Sequence, residues 1–551
     1  MTERQWAILP AILALSLVLR LALVAQLNAL PDTAASAYWN PVPTSDTYTY
    51  KTTSREICEG KFRGMLYYQP GYYAAFLPAT YWLTGSFKPL APALIQTALG
   101  TATVFLVFLI GARCFGFAAG ALGALLASLS RDLIFYTPYL LQETLFVFFV
   151  TLAAWRLLRM AENPSAGRAL VAGVVIGAAA ACRGNALFLL FLILPWAALR
   201  AGETRRLRLA CTLLLWLGTC LVLAPFSLYN SLRAGKPMPP ATSTAVVLTM
   251  ANNPEVPPGG VLETFTFRQW LEESRRSNPA SGKSFPDAVA SGFLMRRMLA
   301  WIASSPLDWL EMRFRALLLY FHHGTIENNI VLAYERKFAP LLGFPLLADA
   351  WILLPLGLAG FLLSVRSASK TGTTVLALSF IGSMAAVAIV SMLSRYRLMS
   401  LPLFCVYAGS LLPALAGRFR VRPSARVVAT TAAALFFSFL LGFAGPTLYE
   451  RGIRSWIYPL RHPGGTAVQH GGEWLITDNS SLLPAFFARE IPTGPAVGQP
   501  VSVLLNPLGR DLASGAKDTN QTCPMLELPL PPGAALRKRF VVPPEIPVAE
   551  V

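Results

Sequence analysis

The chain has 551 residues, of which 54% are apolar and only 13% are charged, and its formal net charge is +18. A soluble domain carries about 25% charged residues, so this composition excludes an ordinary soluble globular protein. The basic residues lie in short clusters between long apolar blocks, as at Arg205, Arg206 and Arg208, and no nucleic-acid-binding motif is found, which excludes a nucleic acid as the partner.

The apolar blocks predict eleven membrane-spanning helices. A helix of about 20 apolar residues crosses the hydrocarbon core, and repeated blocks of this length form a helical bundle. In chain order the predicted spans are residues 6–28, 89–111, 117–135, 144–158, 169–182, 186–199, 209–228, 341–365, 373–393, 401–415 and 427–443. The predicted fold class is therefore an all-α polytopic membrane protein.

The basic clusters orient the spans, because Lys and Arg are kept on the cytoplasmic side. They predict a cytoplasmic N-terminus and a periplasmic C-terminus in a bacterial inner membrane. The first span is also compatible with a signal peptide, but its length favours a retained helix. Residues 29–90 and 229–338 become external loops, and the aromatic-rich segment 71–85 is predicted to be an interfacial or re-entrant helix.

The external segments differ in length and composition. The loop 229–338 contains two or three amphipathic stretches and no clear span, and the tail is rich in Pro and Gly. We expect residues 1–445 to form the membrane domain and residues 446–551 to form a small periplasmic region with a few short strands.

A few charged residues break the charge pattern, and all map to the external end of the predicted bundle. They are Asp46, Glu143, Arg183, Arg395 and Arg397. Charges near the bilayer boundary are costly and are usually functional. Arginine can hold a phosphate through two parallel hydrogen bonds, and a carboxylate near an acceptor hydroxyl can act as a general base. The pattern indicates transfer of a group from a lipid phosphate.

Each of these residues also has a simpler interpretation. Asp46 can be a solvated loop acid or help begin a helix, and Glu143 can stabilise the positive end of the next helix. Arg183 can reach the lipid headgroups, and the arginines 395 and 397 can bind anionic lipids without catalysis. The shared location of the five residues favours the functional interpretation, provided that the topology is correct.

At these residues the chain resembles a known family, the bacterial GT-C glycosyltransferases of the protein O-mannosyltransferase and lipid A aminoarabinose transferase type. The resemblance covers most of residues 1–445 and rests on short motifs in a fixed order. They are Asp46 with Tyr48, Tyr68-Gln69-Pro70-Gly71-Tyr72, Glu143-Thr144-Leu145, Arg183-Gly184-Asn185, Ala251-Asn252-Asn253-Pro254, Glu327-Asn328-Asn329 and Arg395-Tyr396-Arg397. Three positions depart from the family pattern: Thr47 replaces the second acid, Tyr229 precedes Asn230 where many relatives have Arg, and Ala251 replaces Gly.

The resemblance implies a GT-C fold, a polyprenyl-phosphate sugar as donor and inversion at the anomeric carbon. It implies that Asp46 is the base and that Glu143 contacts the acceptor, a metal or both. Arg183, Arg395 and Arg397 become candidates for binding the donor phosphate, and Tyr48, Asn252, Asn253 and Glu327 for binding substrate. A divalent cation at Asp46 and Glu143 is chemically possible. Acceptors in this class include lipids, glycans and protein side chains.

Two other functions compete with the enzyme. A lipid or solute transporter would place its ionisable groups near the bilayer midplane, around a central polar cavity. A non-catalytic scaffold would use the large loop and the tail to bind a partner, and its charged residues would not converge.

Overall fold

In the computed structural model, two compact units are distinguished, Met1–Phe443 and Ala444–Val551. The structure describes residues 3–43, 45–256, 260, 264–277, 288–322, 329–364, 371–390, 392–419, 425–449, 467–470, 473–476, 501–504 and 525–528.

Helices make up most of the described part of the first unit. The first ten are α1 (Glu3–Asn28), α2 (Asp46–Cys58), α3 (Leu77–Thr84), α4 (Leu90–Phe115), α5 (Phe117–Leu129), α6 (Arg131–Phe135), α7 (Glu143–Glu162), α8 (Ala166–Cys182), α9 (Leu187–Arg200) and α10 (Arg205–Ala234). The next ten are α11 (Thr244–Ala251), α12 (Phe265–Ser277), α13 (Ala288–Ser304), α14 (Pro306–Phe321), α15 (Leu332–Glu335), α16 (Ala350–Ser364), α17 (Thr371–Val390), α18 (Ser394–Arg397), α19 (Leu401–Phe419) and α20 (Ala425–Phe443).

Eleven of these helices are apolar and correspond one to one with the predicted spans. Within the described residues, α1, α4, α7, α10 and α17 contain apolar stretches long enough to cross a membrane, and α5, α8, α9, α16, α19 and α20 are shorter apolar helices. The prediction of an all-α, multi-pass membrane protein is confirmed.

Two predicted spans are shorter in the structure than the sequence suggested. The helix in the predicted span 341–365 begins only at Ala350, after a separate 3-10 turn at Pro340–Gly343. The apolar run 117–135 is interrupted at Ser130, where α5 ends and the short helix α6 begins. The Ser130 hydroxyl caps α6 by accepting a hydrogen bond from the Leu133 amide at 3.5 Å. Arg131 then forms a 2.8 Å ion pair with Asp349, just before α16. A capping serine followed by a charged pair is more stable as a new helix start than as part of a span.

The external loops contain more helix than predicted. Between α1 and α4, a π-helical turn at Gly71–Phe76 leads into α3, which ends at Gly85 in the left-handed conformation (φ 62°). The predicted interfacial segment is therefore helical, and its depth in the bilayer stays a prediction. The loop after α10, for which the sequence predicted two or three amphipathic stretches and no clear span, holds the helices α11 to α15.

The bundle packs closely where glycines remove side chains between helices. Gly173 and Gly177 on α8 face α10, and a Cβ atom at either position would overlap the backbone at Leu215 or Thr219. The Thr219 hydroxyl donates to the Gly173 carbonyl at 3.1 Å. Small residues four positions apart allow this approach, which stabilises helix pairs in lipid.

This contact gives a stability prediction. We expect Gly173→Ala to destabilise the protein by about 1–3 kcal/mol, the usual cost of overpacking, because the added methyl group would overlap the Leu215 carbonyl. Gly167→Ala on the same helix is the matched control, since its methyl group would meet no described atom within 4 Å. Thermal unfolding in detergent measures both, and equal stability of the two variants would contradict the packing.

The second unit begins with a short helix, α21 (Gly445–Thr447), and continues with four strands. Strands β1 (Ala467–His470) and β2 (Glu473–Ile476) form one antiparallel pair, and β3 (Val501–Leu504) and β4 (Met525–Leu528) form another. The role expected for residues 446–551 as a separate periplasmic region stays a prediction.

Candidate active site

Four of the predicted site residues come from four different helix ends. Asp46 is the first residue of α2, and Glu143 is the first residue of α7. Arg183 is the C-cap of α8, and Arg395 lies in α18, between α17 and α19. Because consecutive spans run in opposite directions, the end of α8, the start of α7 and the α17–α19 connection fall on one side of the bundle.

The side chains meet in a continuous chain of charges. Arg395 Nη1 lies 2.8 Å from Asp46 Oδ2 and 3.7 Å from Glu143 Oε1. Arg183 Nη2 donates to the same Glu143 oxygen at 2.8 Å. We refer to Asp46, Glu143, Arg183 and Arg395 as the four-charge cluster. The sequence predicted that these residues converge at one end of the bundle, and the distances agree with that expectation.

The cluster is buried except at one end. The side chains of Glu143, Arg183 and Arg395 are 1%, 5% and 6% exposed, whereas that of Asp46 is 21% exposed. Burial alone would lower the pKa of Arg395, but the charges of Asp46 and Glu143 raise that pKa well above its ordinary value. The guanidinium is therefore held in its charged form, and Asp46 is the member that a molecule from outside can reach.

An aromatic ring organises the two arginines. The guanidinium of Arg183 lies over the Tyr396 ring at 4.2 Å, and that of Arg395 lies 5.3 Å from the same ring. Cation–π contacts of this kind are strongest where water is excluded. Tyr396 therefore fixes the spacing of the arginines while it consumes none of their N–H donors.

The cluster keeps unused hydrogen-bonding capacity. Several buried atoms of the cluster and of its neighbour Gln142 have no hydrogen-bond partner in the described part of the chain. They include Glu143 Oε2, Arg183 Nη1, Arg395 Nε and both polar atoms of the Gln142 amide. Buried polar groups are nearly always paired in folded proteins. Several unpaired atoms around one set of charges indicate a place where a polar ligand or water completes the network.

The Arg397 side chain points away from the four-charge cluster. Its guanidinium donates to the carbonyl oxygens of His322 at 2.9 Å and Tyr320 at 3.4 Å, and to the Ser394 hydroxyl at 3.3 Å. In a single helical turn, residues two positions apart do not face the same side. Arg397 therefore joins α14 to α18, and the structure does not bring it to the four-charge cluster.

The side chains of Asn252 and Asn253 form hydrogen bonds within the large loop. The Asn252 amide donates to the Leu248 carbonyl at 2.9 Å and accepts from the Trp309 indole at 2.8 Å. The Asn253 amide donates to the Thr249 carbonyl at 3.1 Å, and its oxygen accepts from the Thr264 hydroxyl at 2.9 Å. The structure thus gives both residues a place in the end of α11 and its packing, and their proposed contact with substrate stays a prediction.

Tyr48 and Glu327 are the two remaining candidates for binding substrate. Tyr48 lies two residues after Asp46, is 39% exposed and is free to contact a bound molecule. Glu327 lies outside the described residues.

Asn329 lies in the motif Glu327-Asn328-Asn329, and the sequence did not predict it as a site residue. Its amide nitrogen donates to Asp46 Oδ2 at 2.8 Å, and its oxygen accepts from the Asp46 backbone amide at 3.2 Å. It adopts a left-handed conformation (φ 69°), which asparagine tolerates better than most residues. Its place in the Asn-Asn pair was visible in the sequence, but its backbone conformation was not.

A divalent cation does not fit the two acids in this arrangement. Both Asp46 and Glu143 face the Arg395 guanidinium, which is itself positively charged. Among the described residues, no group of three or more His, Cys, Asp or Glu side chains could hold a metal ion. A metal at these acids would need Arg395 to move away.

Several solved structures are similar to the chain. One is the oligosaccharyltransferase AglB from Archaeoglobus fulgidus, in complex with an inhibitory peptide and a dolichol-phosphate, with 13% identity and a TM-score of 0.43 over 81% of this chain. This match covers 56% of AglB, so the chain spans about half the length of that protein. Another is ArnT from Cupriavidus metallidurans bound to undecaprenyl phosphate, with 14% identity and a TM-score of 0.36 over 87% of this chain and 99% of ArnT.

The part of the chain that contains Glu143 and Arg183 matches a protein-family model. No curated protein sequence gives a significant match to the chain. Residues 69–229, however, match the family model described as dolichyl-phosphate-mannose-protein mannosyltransferase. The resemblance to this type of GT-C glycosyltransferase, which the motifs predicted, is thus confirmed over residues 69–229.

Proposed function

We propose that this protein is a membrane glycosyltransferase that moves a sugar from a polyprenyl-phosphate donor to a lipid, glycan or protein acceptor, with inversion. The observation that carries the proposal is the four-charge cluster, in which a reachable carboxylate lies 2.8 Å from a buried arginine. The match of residues 69–229 to the mannosyltransferase family supports the same reaction class.

The arginines are suited to the donor phosphate. Arg183 and Arg395 each retain a buried nitrogen without a partner among the described residues, and arginine binds phosphate oxygens through such N–H groups. Negative charge develops on the phosphate as the bond between the anomeric carbon and the phosphate oxygen breaks. Two fixed guanidinium groups stabilise this charge without reorganising, which lowers the barrier.

Asp46 is placed to activate the acceptor. Its Oδ2 is held by Arg395 and Asn329, whereas Oδ1 forms no hydrogen bond within the described part of the chain. Oδ1 can therefore take the proton of an acceptor hydroxyl while that oxygen attacks the anomeric carbon. The products are a glycosylated acceptor, a protonated Asp46 and the polyprenyl phosphate.

Glu143 supports this reaction indirectly. Its Oε1 holds Arg183 at 2.8 Å and lies 3.7 Å from Arg395, so it sets the spacing of the two cations. No step is assigned to a metal ion, because the acids are arranged around Arg395.

The charge distribution favours a location in the bacterial inner membrane, with the site facing the periplasm. Arg113 at the end of α4, Arg159 at the end of α7 and Arg205 at the start of α10 lie at the opposite helix ends from the cluster. The positive-inside rule places those ends in the cytoplasm. The N-terminus is then cytoplasmic and the C-terminus periplasmic.

A transporter is less consistent with these positions. The four-charge cluster lies at helix ends, whereas transporters bind their substrates near the bilayer midplane between broken helices.

Tyr396 gives a prediction about the donor phosphate. We expect Tyr396→Leu to weaken binding of undecaprenyl phosphate by about 3- to 30-fold, the range given by the loss of cation–π contacts worth about 0.5–2 kcal/mol. Tyr396→Phe keeps the ring and should bind nearly as well as the wild type. Native mass spectrometry of the purified proteins measures both, and equal weakening by Leu and Phe would contradict a role for the ring face.

The proposed function is tested by lipid mass spectrometry of a deletion strain. We expect a polyprenyl-phosphate sugar to accumulate and one envelope molecule to lack a sugar, both reversed by the wild-type gene. Unchanged polyprenyl-phosphate sugars in the deletion strain would overturn the proposal.

A further inference from the structure

The base candidate Asp46 is held by a segment almost 300 residues away in the sequence. The Asn329 side chain forms two reciprocal hydrogen bonds with Asp46: its amide nitrogen donates to Oδ2 at 2.8 Å, and its oxygen accepts from the backbone N–H at 3.2 Å. This pair fixes the carboxylate relative to its own backbone. Oδ2 is turned towards Asn329 and Arg395, and Oδ1 is left for another partner.

The same segment holds the loop before Asp46 at a second point. The buried carboxylate of Glu335 accepts from the Ser36 hydroxyl at 2.7 Å and from the Ala37 backbone amide at 2.9 Å. It also accepts from the Tyr139 hydroxyl at 3.0 Å, which ties it to the connection before α7. Glu335 itself is only 2% exposed. Its bonds therefore connect the loop after α1 with the loop that leads to Glu143.

The backbone at Asn329 indicates that this position is constrained. Its φ of 69° is the one left-handed value found at a non-glycine residue in the described chain. Such conformations persist where the surrounding structure imposes them, and they are concentrated at functional sites. Asparagine meets both requirements here, because it tolerates this conformation and supplies one donor and one acceptor.

We infer that residues 329–335 form a two-point clamp, Asn329 on Asp46 and Glu335 on residues 36–37, and that Asn329 is a positioning residue for the catalytic base. The inference rests on the proposed function, since it assumes that Asp46 is the base. The clamp keeps the Asp46 carboxylate aligned beside Arg395, so the amide N–H of Asn329 acts on the reaction through Asp46 alone.

Two substitutions of Asn329 distinguish a role in positioning Asp46 from a general effect on the stability of the protein. Asn329→Gly removes the side chain and suits a positive φ. Asn329→Asp preserves the shape and the acceptor for the Asp46 amide, but replaces the N–H donor by a carboxylate oxygen that faces Asp46 Oδ2. A hydrogen bond to the ionised form favours ionisation, and a neighbouring like charge opposes it. Both changes should therefore favour the protonated form of Asp46, the second more strongly.

The experiment measures protonation directly and needs no substrate. The purified full-length protein is treated with a water-soluble carbodiimide, which reacts with protonated carboxyl groups, across a pH series, and labelling at Asp46 is quantified by peptide mass spectrometry. We expect the half-labelling pH to rise by about 0.5 for Asn329→Gly and by about 1 or more for Asn329→Asp, in line with loss of a hydrogen bond and gain of a like charge. Labelling of the exposed Asp32 in the same samples is the control and should not change.

The outcomes separate the clamp from the proposed function. An unchanged half-labelling pH at Asp46 in both folded variants would overturn the clamp, whatever their stability. If the pH rises as expected but Asp46→Asn still corrects the lipid profile of the deletion strain, the clamp stands and the role of Asp46 as base is wrong. If Asp46→Asn fails to correct the profile and the half-labelling pH does not move, only the clamp is wrong.

Discussion

Replacing Asp46 by asparagine is expected to lower the rate of sugar transfer by about 10²- to 10⁴-fold, the usual contribution of a general base. Asparagine keeps the shape of the side chain but cannot take the proton of the acceptor hydroxyl. The Asp46 side chain is 21% exposed, and Glu143 remains 3.7 Å from Arg395 as a second partner for that arginine, so the variant should fold. The measurement is the level of polyprenyl-phosphate sugar in a deletion strain that expresses the variant.

A matched control is available in the same loop. Asp32 is exposed and lies in the loop before α2, so Asp32→Asn should restore the lipid profile as well as the wild type does. Full restoration by a well-expressed Asp46→Asn variant would remove Asp46 from the mechanism.

Glu143→Gln is expected to have the largest effect on stability. The Glu143 and Arg183 side chains are 1% and 5% exposed and lie 2.8 Å apart. Removing one partner of a buried ion pair leaves an uncompensated charge and costs about 3–5 kcal/mol. The double variant Glu143→Gln/Arg183→Gln should recover part of this loss, because it removes the unpaired charge as well. Chemical unfolding in detergent measures both proteins.

The control for this prediction is the same substitution in an exposed pair. Glu59 pairs with Arg55 and Lys61 at the surface, where the two basic side chains are 63% and 71% exposed. Exposed pairs contribute about 0–1 kcal/mol, so Glu59→Gln should change stability little. A loss for Glu143→Gln no greater than that for Glu59→Gln would show that the buried pair is not a structural support.

Most of the fold could be predicted from the sequence, because apolar length is a strong constraint in lipid. Each of the eleven predicted spans corresponds to an apolar helix in the described part of the chain, since each backbone polar group in lipid must be satisfied inside its own helix. The break between α5 and α6 was missed. Ser130 and Arg131 sit at the end of an apolar run, and only the ion pair with Asp349 and the cap on Leu133 show why a new helix begins there.

The convergence of the four-charge cluster was also predictable. Consecutive spans run in opposite directions, so every second connection between them lies on the same side of the bundle. The direction of individual side chains was not predictable. Arg395 and Arg397 are two positions apart in the short helix α18, and their side chains point in different directions. Arg395 contacts Asp46, whereas Arg397 donates to the carbonyl of His322. The link between Asn329 and Asp46 depends on a left-handed backbone that the sequence does not reveal.

The central claim is that the four-charge cluster binds the phosphate of the donor lipid. A cryo-electron microscopy structure of the protein with undecaprenyl phosphate tests it most directly. We predict that phosphate oxygens lie within hydrogen-bonding distance of Arg183 and Arg395, with Asp46 beside the open face of the site. A phosphate bound elsewhere, with Arg183 still paired to Glu143 and Arg395 to Asp46 and neither arginine in contact with the ligand, would contradict the assignment.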